Sequence, residues 1–497
     1  MENNPKQATT RFFLKSFLQT EPVSPGTELY MQSDLDHADD GDVTDSDCLR
    51  ESAAAHSPCH SVFAVGASCA GGIQRLLTAG AWLRQRDEAA MPMRLTGYAL
   101  LLLFATAALT QQSTAPPENP DTAALREEIQ AIEKLMPRLP DRGPALFELA
   151  HDYASLGDLR KSLSFLQECA SLHEGFNPEG DPAFARLKDD PEFKTLVAQV
   201  RREFPQVKRA RLAFTIPQPD LVPEGLAVDP KQHFFYMGSL SRKKIVKISS
   251  TGMVYDFVPS GRYDVQSICG IKVDPGDEDV WANTCPDSGK GAELLRFDNT
   301  GKLLERFSQA TAGQHLFNDL VLRNQDEIYL TDSLAHQALR FDRKTHAFTS
   351  LAFPRPLYYP NGIALSGDGN LLYVADAFGV LQYDLRSQKS REVEPGPSNT
   401  LSGFDGLYWY RGSLVGIQNI MGLPRAARFQ LSRDGSRVTA ATILEYRTDF
   451  VELPTTGAID GHSFYFMSNT QVDNWKNEQI VDPAKLAAIR IAAIHLD

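Results

Sequence analysis

Pro360-Asn361-Gly362-Ile363-Ala364-Leu365-Ser366-Gly367-Asp368-Gly369-Asn370-Leu371-Leu372-Tyr373-Val374-Ala375-Asp376 decides the fold. A polar residue precedes a glycine, an apolar strand follows, and a second strand centred on Leu372-Tyr373 comes about ten residues later. The grammar recurs on both sides. Pro223-Glu224-Gly225-Leu226, Ile268-Cys269-Gly270-Ile271, Phe317-Asn318-Asp319-Leu320, Phe404-Asp405-Gly406-Leu407 and Thr455-Thr456-Gly457-Ala458 open five further units, with Asp319 where the others carry glycine.

Each opening is followed by an aromatic or apolar second strand: Phe235-Tyr236, Val280-Trp281, Ile328-Tyr329, Ser413-Leu414 and Phe464-Tyr465. A third strand often ends in an Arg-Phe-Asp-like signature, as in Leu295-Arg296-Phe297-Asp298 and Leu339-Arg340-Phe341-Asp342. The anchors Glu224, Cys269, Asn318, Asn361, Asp405 and Thr456 are spaced by 45, 49, 43, 44 and 51 residues. A self-similar period of this size with several strands per unit predicts a β-propeller, six-bladed, over 210–497. Strand 210–216, ahead of the first unit, is expected to add to the last unit as its outer strand and close the ring.

In a propeller the first strand of each blade lines the central channel. The six leading residues therefore form a ring, and four of them, Glu224, Asn318, Asn361 and Asp405, are oxygen donors. Two carboxylates and two amides suit a hard cation, calcium first, with magnesium, manganese or zinc as other occupants. The lack of imidazole, and of thiol apart from Cys269, disfavours zinc. Taken singly, each Asn-Gly or Asp-Gly is an ordinary turn pair; four in register argue for a site. Asp332 and Asp376, which close second strands, read as turn caps.

Pro-Glu224-Gly, Phe-Asn318-Asp319, the quoted stretch from Pro360 to Asp376 and Phe-Asp405-Gly resemble the senescence-marker-protein, gluconolactonase and luciferin-regenerating-enzyme family over about 217–470. The resemblance implies one divalent metal on Glu224, Asn361 and Asp405, with Asn318 near the metal, contacting substrate or a bound water. It implies hydrolysis of a small-molecule lactone or related ester, with Asp405 as general base. Sugar-lactone hydrolases of that family carry an arginine two residues before the third-blade asparagine. Leu316 stands there instead, with His315 beside it, which turns the expectation towards a more apolar lactone or ester. His315 and His336 are read as incidental loop histidines. The competing class is a non-catalytic, calcium-stabilised propeller acting as a binding module.

The chain has 497 residues and a net charge of −13, which argues against nucleic acid as a partner. The basic stretch Arg201, Arg202, Lys208, Arg209 and Arg211 reads as a solvated linker. Residues 91–109 have a short basic start, an apolar run of about fifteen and small residues after it, the pattern of a secretory signal with a cleavage site at Ala105-Thr106-Ala107. The run is short of the ~20 residues a membrane span needs. Start at Met91 or Met93 is therefore expected, with 1–90 a non-native or disordered upstream extension and the product secreted or periplasmic. The rival is a cytoplasmic tail anchored through 95–109. Residues 110–122 read as a linker. Cys269 and Cys285 face each other across neighbouring strands, either bridged or as two buried thiols.

From 123 to 205 the period is helical. The spacing of Leu149, Tyr153, Gly157, Leu166 and Cys169 resembles a single tetratricopeptide repeat, and Pro182 and Pro191 begin two further short helices. Fewer than two repeats do not make a free-standing array. The module is expected to pack on the next domain or to offer a protein contact.

Overall fold

The computed structural model describes residues 120–309 and 312–497. The expectations for 1–90, for the signal at 91–109 and for most of the 110–122 linker lie outside the described residues. Among the described residues, no helix is long and apolar enough to cross a membrane.

Four α-helices come first: α1 (Pro120–Leu135), α2 (Gly143–Leu156), α3 (Leu159–Ser171) and α4 (Pro191–Glu203). The first starts at Pro120, earlier than the expected 123, because a proline costs nothing in the first turn, where its missing N–H has no partner to lose. Gly157 ends α2 in the left-handed conformation at φ 87°, and Asp158 caps α3 by accepting from Lys161 N. The two helices thus fold back as a hairpin. Asp190 caps α4 through two backbone amides, with Pro191 at its first position.

Among the remaining described residues, six sheets of four or five strands form a ring, and Trp475–Lys476 pairs with Gln479–Ile480 as a separate two-stranded sheet. Blade one is typical: Pro223–Val228, Phe235–Ser239, Lys244–Ile248 and Val254–Val258 pair antiparallel in sequence order. The first strands of blades two to six are Ile268–Val273, Phe317–Leu322, Ile363–Leu365, Phe404–Tyr410 and Gly457–Asp460. Each first strand touches the next, and the sixth touches the first, so the ring is closed. Closure is completed by Arg211–Ile216, which adds as the outer strand of blade six, with Ile216 opposite Ile489 and Arg211 opposite Ala493. The stretch expected to be a solvated linker is instead structured at Arg201 and Arg202, in α4, at Lys208, which pairs with Glu445 of blade five, and at Arg211, in the outer strand of blade six. Apolar clusters between adjacent blades, such as Trp281, Leu294, Leu330 and Phe341, fill the wedges. Burying such side chains supplies most of the ring's stability, at roughly 1.5–3 kcal/mol each.

The residue-before-glycine pattern has a structural cause. In blades one, two, three and five the register slips at this point, between Pro223 and Leu226, Ile268 and Ile271, Phe317 and Leu320, and Phe404 and Leu407. Each slip is a bulge, two residues facing one, which bends the strand and re-aims a side chain. The glycine then lies against the next blade: a Cβ on Gly225 would land on the Cys269 carbonyl, and one on Gly270 on the Asn318 carbonyl. Only glycine allows the inner strands to approach this closely.

The helical hairpin packs on the propeller. Leu146, Phe147 and Ala150 of α2 share a buried cluster with Ile420 and Leu423 of blade five, and Leu149 and Tyr153 share another with Phe378. Asn177 N donates to Gly422 O at 2.8 Å, Tyr446 Oη to Gly175 O at 2.7 Å, and Ser402 Oγ to Asp141 Oδ2 at 2.5 Å.

Candidate metal and hydrolase site

Three of the four expected ligands are buried: Asn318 and Asn361 are 6% exposed and Asp405 is 4% exposed. Glu224 is half-buried, with its Oε2 fully enclosed. Asn361 Nδ2 donates to Asp405 Oδ1 at 2.8 Å, which joins blades four and five. Asn318 lies apart from that bond and donates to Ser333 Oγ at 3.1 Å. Asp405 acts on Glu224 through charge repulsion.

The electrostatics are those of a site short of positive charge. Burial, then repulsion from Asp405 and Asp319, holds the Glu224 carboxyl well above the usual carboxylate range. Burial also pushes Asp405 up to about 7, helped by Asp319 and opposed by the amide donors Asn361 and Asn419. Asp319 has Lys272 as a counter-ion; for Glu224 and Asp405, buried like charges favour the protonated form. Three buried acceptor oxygens of the inner ring have no hydrogen-bond partner: Glu224 Oε2, Asn361 Oδ1 and Asp319 Oδ2. A buried acceptor left unmatched costs ~1–3 kcal/mol. A hard divalent cation would satisfy such oxygens and remove the repulsion together, so the donor set fits one.

Several residues of the site carry no repeat signal of their own. Asn419, just after the second strand of blade five, donates to Asp405 Oδ2 at 2.5 Å and to Pro454 O at 3.1 Å. Asp319, in the glycine position of blade three, is 3% exposed and bonds Lys272 Nζ at 2.7 Å. A second ring register, the residue that follows each second strand, is the signal that would have found Asn419. It also holds Ser333 and Cys285.

Cys269 and Cys285 form a disulfide. Around it gather Val222, Leu240 and Leu316. Leu316, where a sugar-gripping arginine was expected, thus belongs to an apolar wall. Asp332 and Asp376 are caps, as expected. Asp332 accepts from Leu316 N at 2.9 Å and Ala335 N at 3.3 Å, and Asp376 accepts from Tyr358 N at 3.0 Å and Phe378 N at 2.9 Å. His315 Nδ1 lies 2.6 Å from Asp332 Oδ2, and His336 Nδ1 accepts from Tyr359 N at 3.2 Å, which gives both histidines local structural contacts.

No protein-family model matches the chain, and no curated protein matches it. Among solved structures, it is similar to a gluconolactonase from Xanthomonas campestris at 16% identity and TM-score 0.42, covering 59% of this chain and 91% of that one. It is also similar to virginiamycin B lyase from Staphylococcus aureus at 15% identity and TM-score 0.41, covering 58% of this chain and 100% of that one. At these values neither likeness says anything of activity here, and the six-bladed ring stands on its own strand pairing.

Proposed function

We propose that this chain is a metal-dependent hydrolase of an apolar lactone or related ester, with one divalent cation, calcium by preference, at the propeller mouth. The single observation that carries the reading is the pair of buried, unmatched oxygens on Glu224 and Asn361, with the Asn361 amide bonded to an Asp405 carboxyl raised to about 7. Glu224, Asn361 and Asp405 would hold the cation and Asn318 would complete the site. When bound, the cation supplies a polarised carbonyl and a water of lowered pKa. Asp405 would serve as the general base. Its two oxygens are each fixed by one amide donor, from Asn361 and from Asn419, so the carboxylate is oriented before substrate arrives. Leu316 and the apolar cluster beside it disfavour a polyhydroxylated sugar lactone. The disulfide supports an oxidising compartment, in keeping with secretion or a periplasm.

The test is metal content of the purified protein, followed by a lactone and aryl-ester panel with and without chelator. Turnover that needs the metal and is lost in Asp405→Ala supports the enzyme. Bound calcium with no turnover on any member favours the non-catalytic binding propeller. A metal-free, folded and active protein overturns the reading.

A further inference from the structure

The helical segment does more than pack on the ring. A cavity of about 40 Å³ lies over Asn361, Asp405 and Asn419, and α2 supplies part of its wall through Pro144 and Glu148. Blades four and five supply the rest, chiefly Phe378, Ile420 and Met421. The lining is of two chemical kinds. The polar part includes the Asp405 carboxyl and the Asn361 amide, whose Oδ1 has no partner and whose residue is 6% exposed. Asp376 also borders the space, yet its oxygens are taken by the Arg355 guanidinium and two backbone amides, so it offers a ligand nothing further. The lining also carries hydrocarbon, Pro144 from α2, Phe378, Ile420 and Met421, beside the buried carboxyl of Glu148 on α2.

We infer that the helical segment is a wall of the substrate pocket, and that the ligand carries a compact apolar group beyond its carbonyl, seated against Pro144, Phe378, Ile420 and Met421. This rests on the proposed hydrolase reading and adds the substrate class. The size follows from the volume. At ~10–15 Å³ per water the space has room for roughly three waters, hence for a group of a few heavy atoms, a short acyl chain or a small ring. The wall is fixed, because α2 is held to blade five by Phe147 and Leu146 against Ile420 and Leu423, and by Asp141 against Thr400 and Ser402. A hydrocarbon pocket discriminates by about 1–3 kcal/mol per methylene that does not fit, so long acyl chains are excluded by shape.

The experiment uses the full chain loaded with calcium. Hydrolysis of aryl esters of acyl length two to eight carbons is measured for the wild type, Met421→Ala and Pro144→Ala. Binding of butyrate and octanoate is measured alongside by calorimetry, so that the pocket is read even without turnover. The wild type is expected to prefer the short acyl chain over the eight-carbon one by at least tenfold. Met421→Ala, in blade five, and Pro144→Ala, in α2, are each expected to shrink that preference by at least threefold with calcium affinity unchanged. Length profiles that stay superimposable in both folded, calcium-binding variants overturn the wall, as does failure of the wild type to bind either carboxylate. Loss of the hydrolase reading looks different: calcium absent from the wild type, or turnover indifferent to Asp405→Ala.

Discussion

Asn419 bonds Asp405 at 2.5 Å from the position just after the second strand of its own blade, and Cys285 bonds Cys269 from the matching position of blade two. Asn318 and Ser333 form the same pair in blade three, at 3.1 Å. One backbone register thus carries an amide on a carboxylate, a disulfide and an amide on a hydroxyl. The bulge that turns the leading side chain inward also brings it over the end of the neighbouring strand. Asn419 is therefore a positioning residue for Asp405. Asn419→Ala is expected to weaken calcium binding 10–100-fold, the usual loss when a ligand's supporting donor is removed. Asn419→Asp is expected to weaken it less than that at low metal and to raise the Asp405 repulsion in the metal-free protein. Calorimetric calcium titration checks both. Unchanged affinity in Asn419→Ala removes the positioning role.

Calcium should stabilise the fold strongly, because it matches oxygens that are otherwise buried without partners. At a hundredfold excess over Kd, about 2.7 kcal/mol of added stability is expected, read as a rise in thermal midpoint that chelator reverses. Asp405→Asn and Glu224→Gln each remove a buried carboxyl raised by its neighbours. Both variants should therefore melt higher than the wild type in chelator and gain little from calcium. A metal-free wild type that melts above Asp405→Asn contradicts this account of the site.

Much of the ring was legible in the sequence because its period is a consequence of packing. The residue-before-glycine signal marks the place where one inner strand nears the next, as at Gly225 against the Cys269 carbonyl, and so it repeats with the blade. The outer strand 210–216 was legible for a similar reason, since a closed ring needs its free edge paired. What stayed hidden depends on which side chains meet across blades. Asn419 has no glycine beside it, and nothing in its local sequence says that Asp405 lies 2.5 Å away. Asp319 looked like a lapse in the repeat, yet its carboxylate pairs with Lys272 from blade two. The cavity over Asp405 was invisible too, because part of its wall, Pro144 and Glu148, comes from α2, more than 200 residues earlier in the chain.

The interface between the helices and the ring carries a pH dependence. Burial raises the Glu174 carboxyl to about 8, with Asp141 adding to the rise and Arg425 opposing it. Its Oε2 has no hydrogen-bond partner, while Arg425 Nη1 reaches only the Glu174 carbonyl, at 3.1 Å. The folded chain therefore holds a proton that the unfolded chain releases above the ordinary value of 4.5. Stability falls as pH rises from about 4.5 towards 8 and levels off beyond it. Glu174→Gln keeps the shape and removes the titration. It is expected to flatten the slope over that window and to be more stable than the wild type at pH 8 by on the order of a few kcal/mol. Thermal midpoints from pH 4 to 9 decide; parallel curves for the two proteins rule the assignment out.

The disulfide constrains the unfolded chain. With its cysteines 16 positions apart in sequence, a loop of this size is worth ~3 kcal/mol in the chain-entropy picture. Cys269→Ala with Cys285→Ala should lower the denaturant midpoint by about that amount and leave calcium affinity close to wild type, because blade two supplies no expected ligand. A loss of calcium binding in the double variant would show that the bridge also shapes the neighbouring Glu224 strand.

The helical hairpin and the ring should unfold together, because they share one buried contact that leaves no slack. Gly422 sits in the left-handed region at φ 75°, and a Cβ there would fall on the Phe147 ring. Phe147 itself is 1% exposed and packs on Phe176 and Phe184, with ring centroids 5.7 Å away in both cases. Phe147→Ala is expected to cost ~3–5 kcal/mol through the cavity it leaves. Gly422→Ala costs on the order of 1–2 kcal/mol for the backbone alone, and more from the clash with the ring. The double variant removes the clash, so its cost should fall short of the summed single costs by roughly 0.5–3 kcal/mol, the range of coupling between residues in contact. Denaturant unfolding of the four proteins measures the cycle, and each should show one transition. Costs that add to within ~0.5 kcal/mol, or a helical transition separate from that of the ring, would mean that the hairpin merely rests on the propeller.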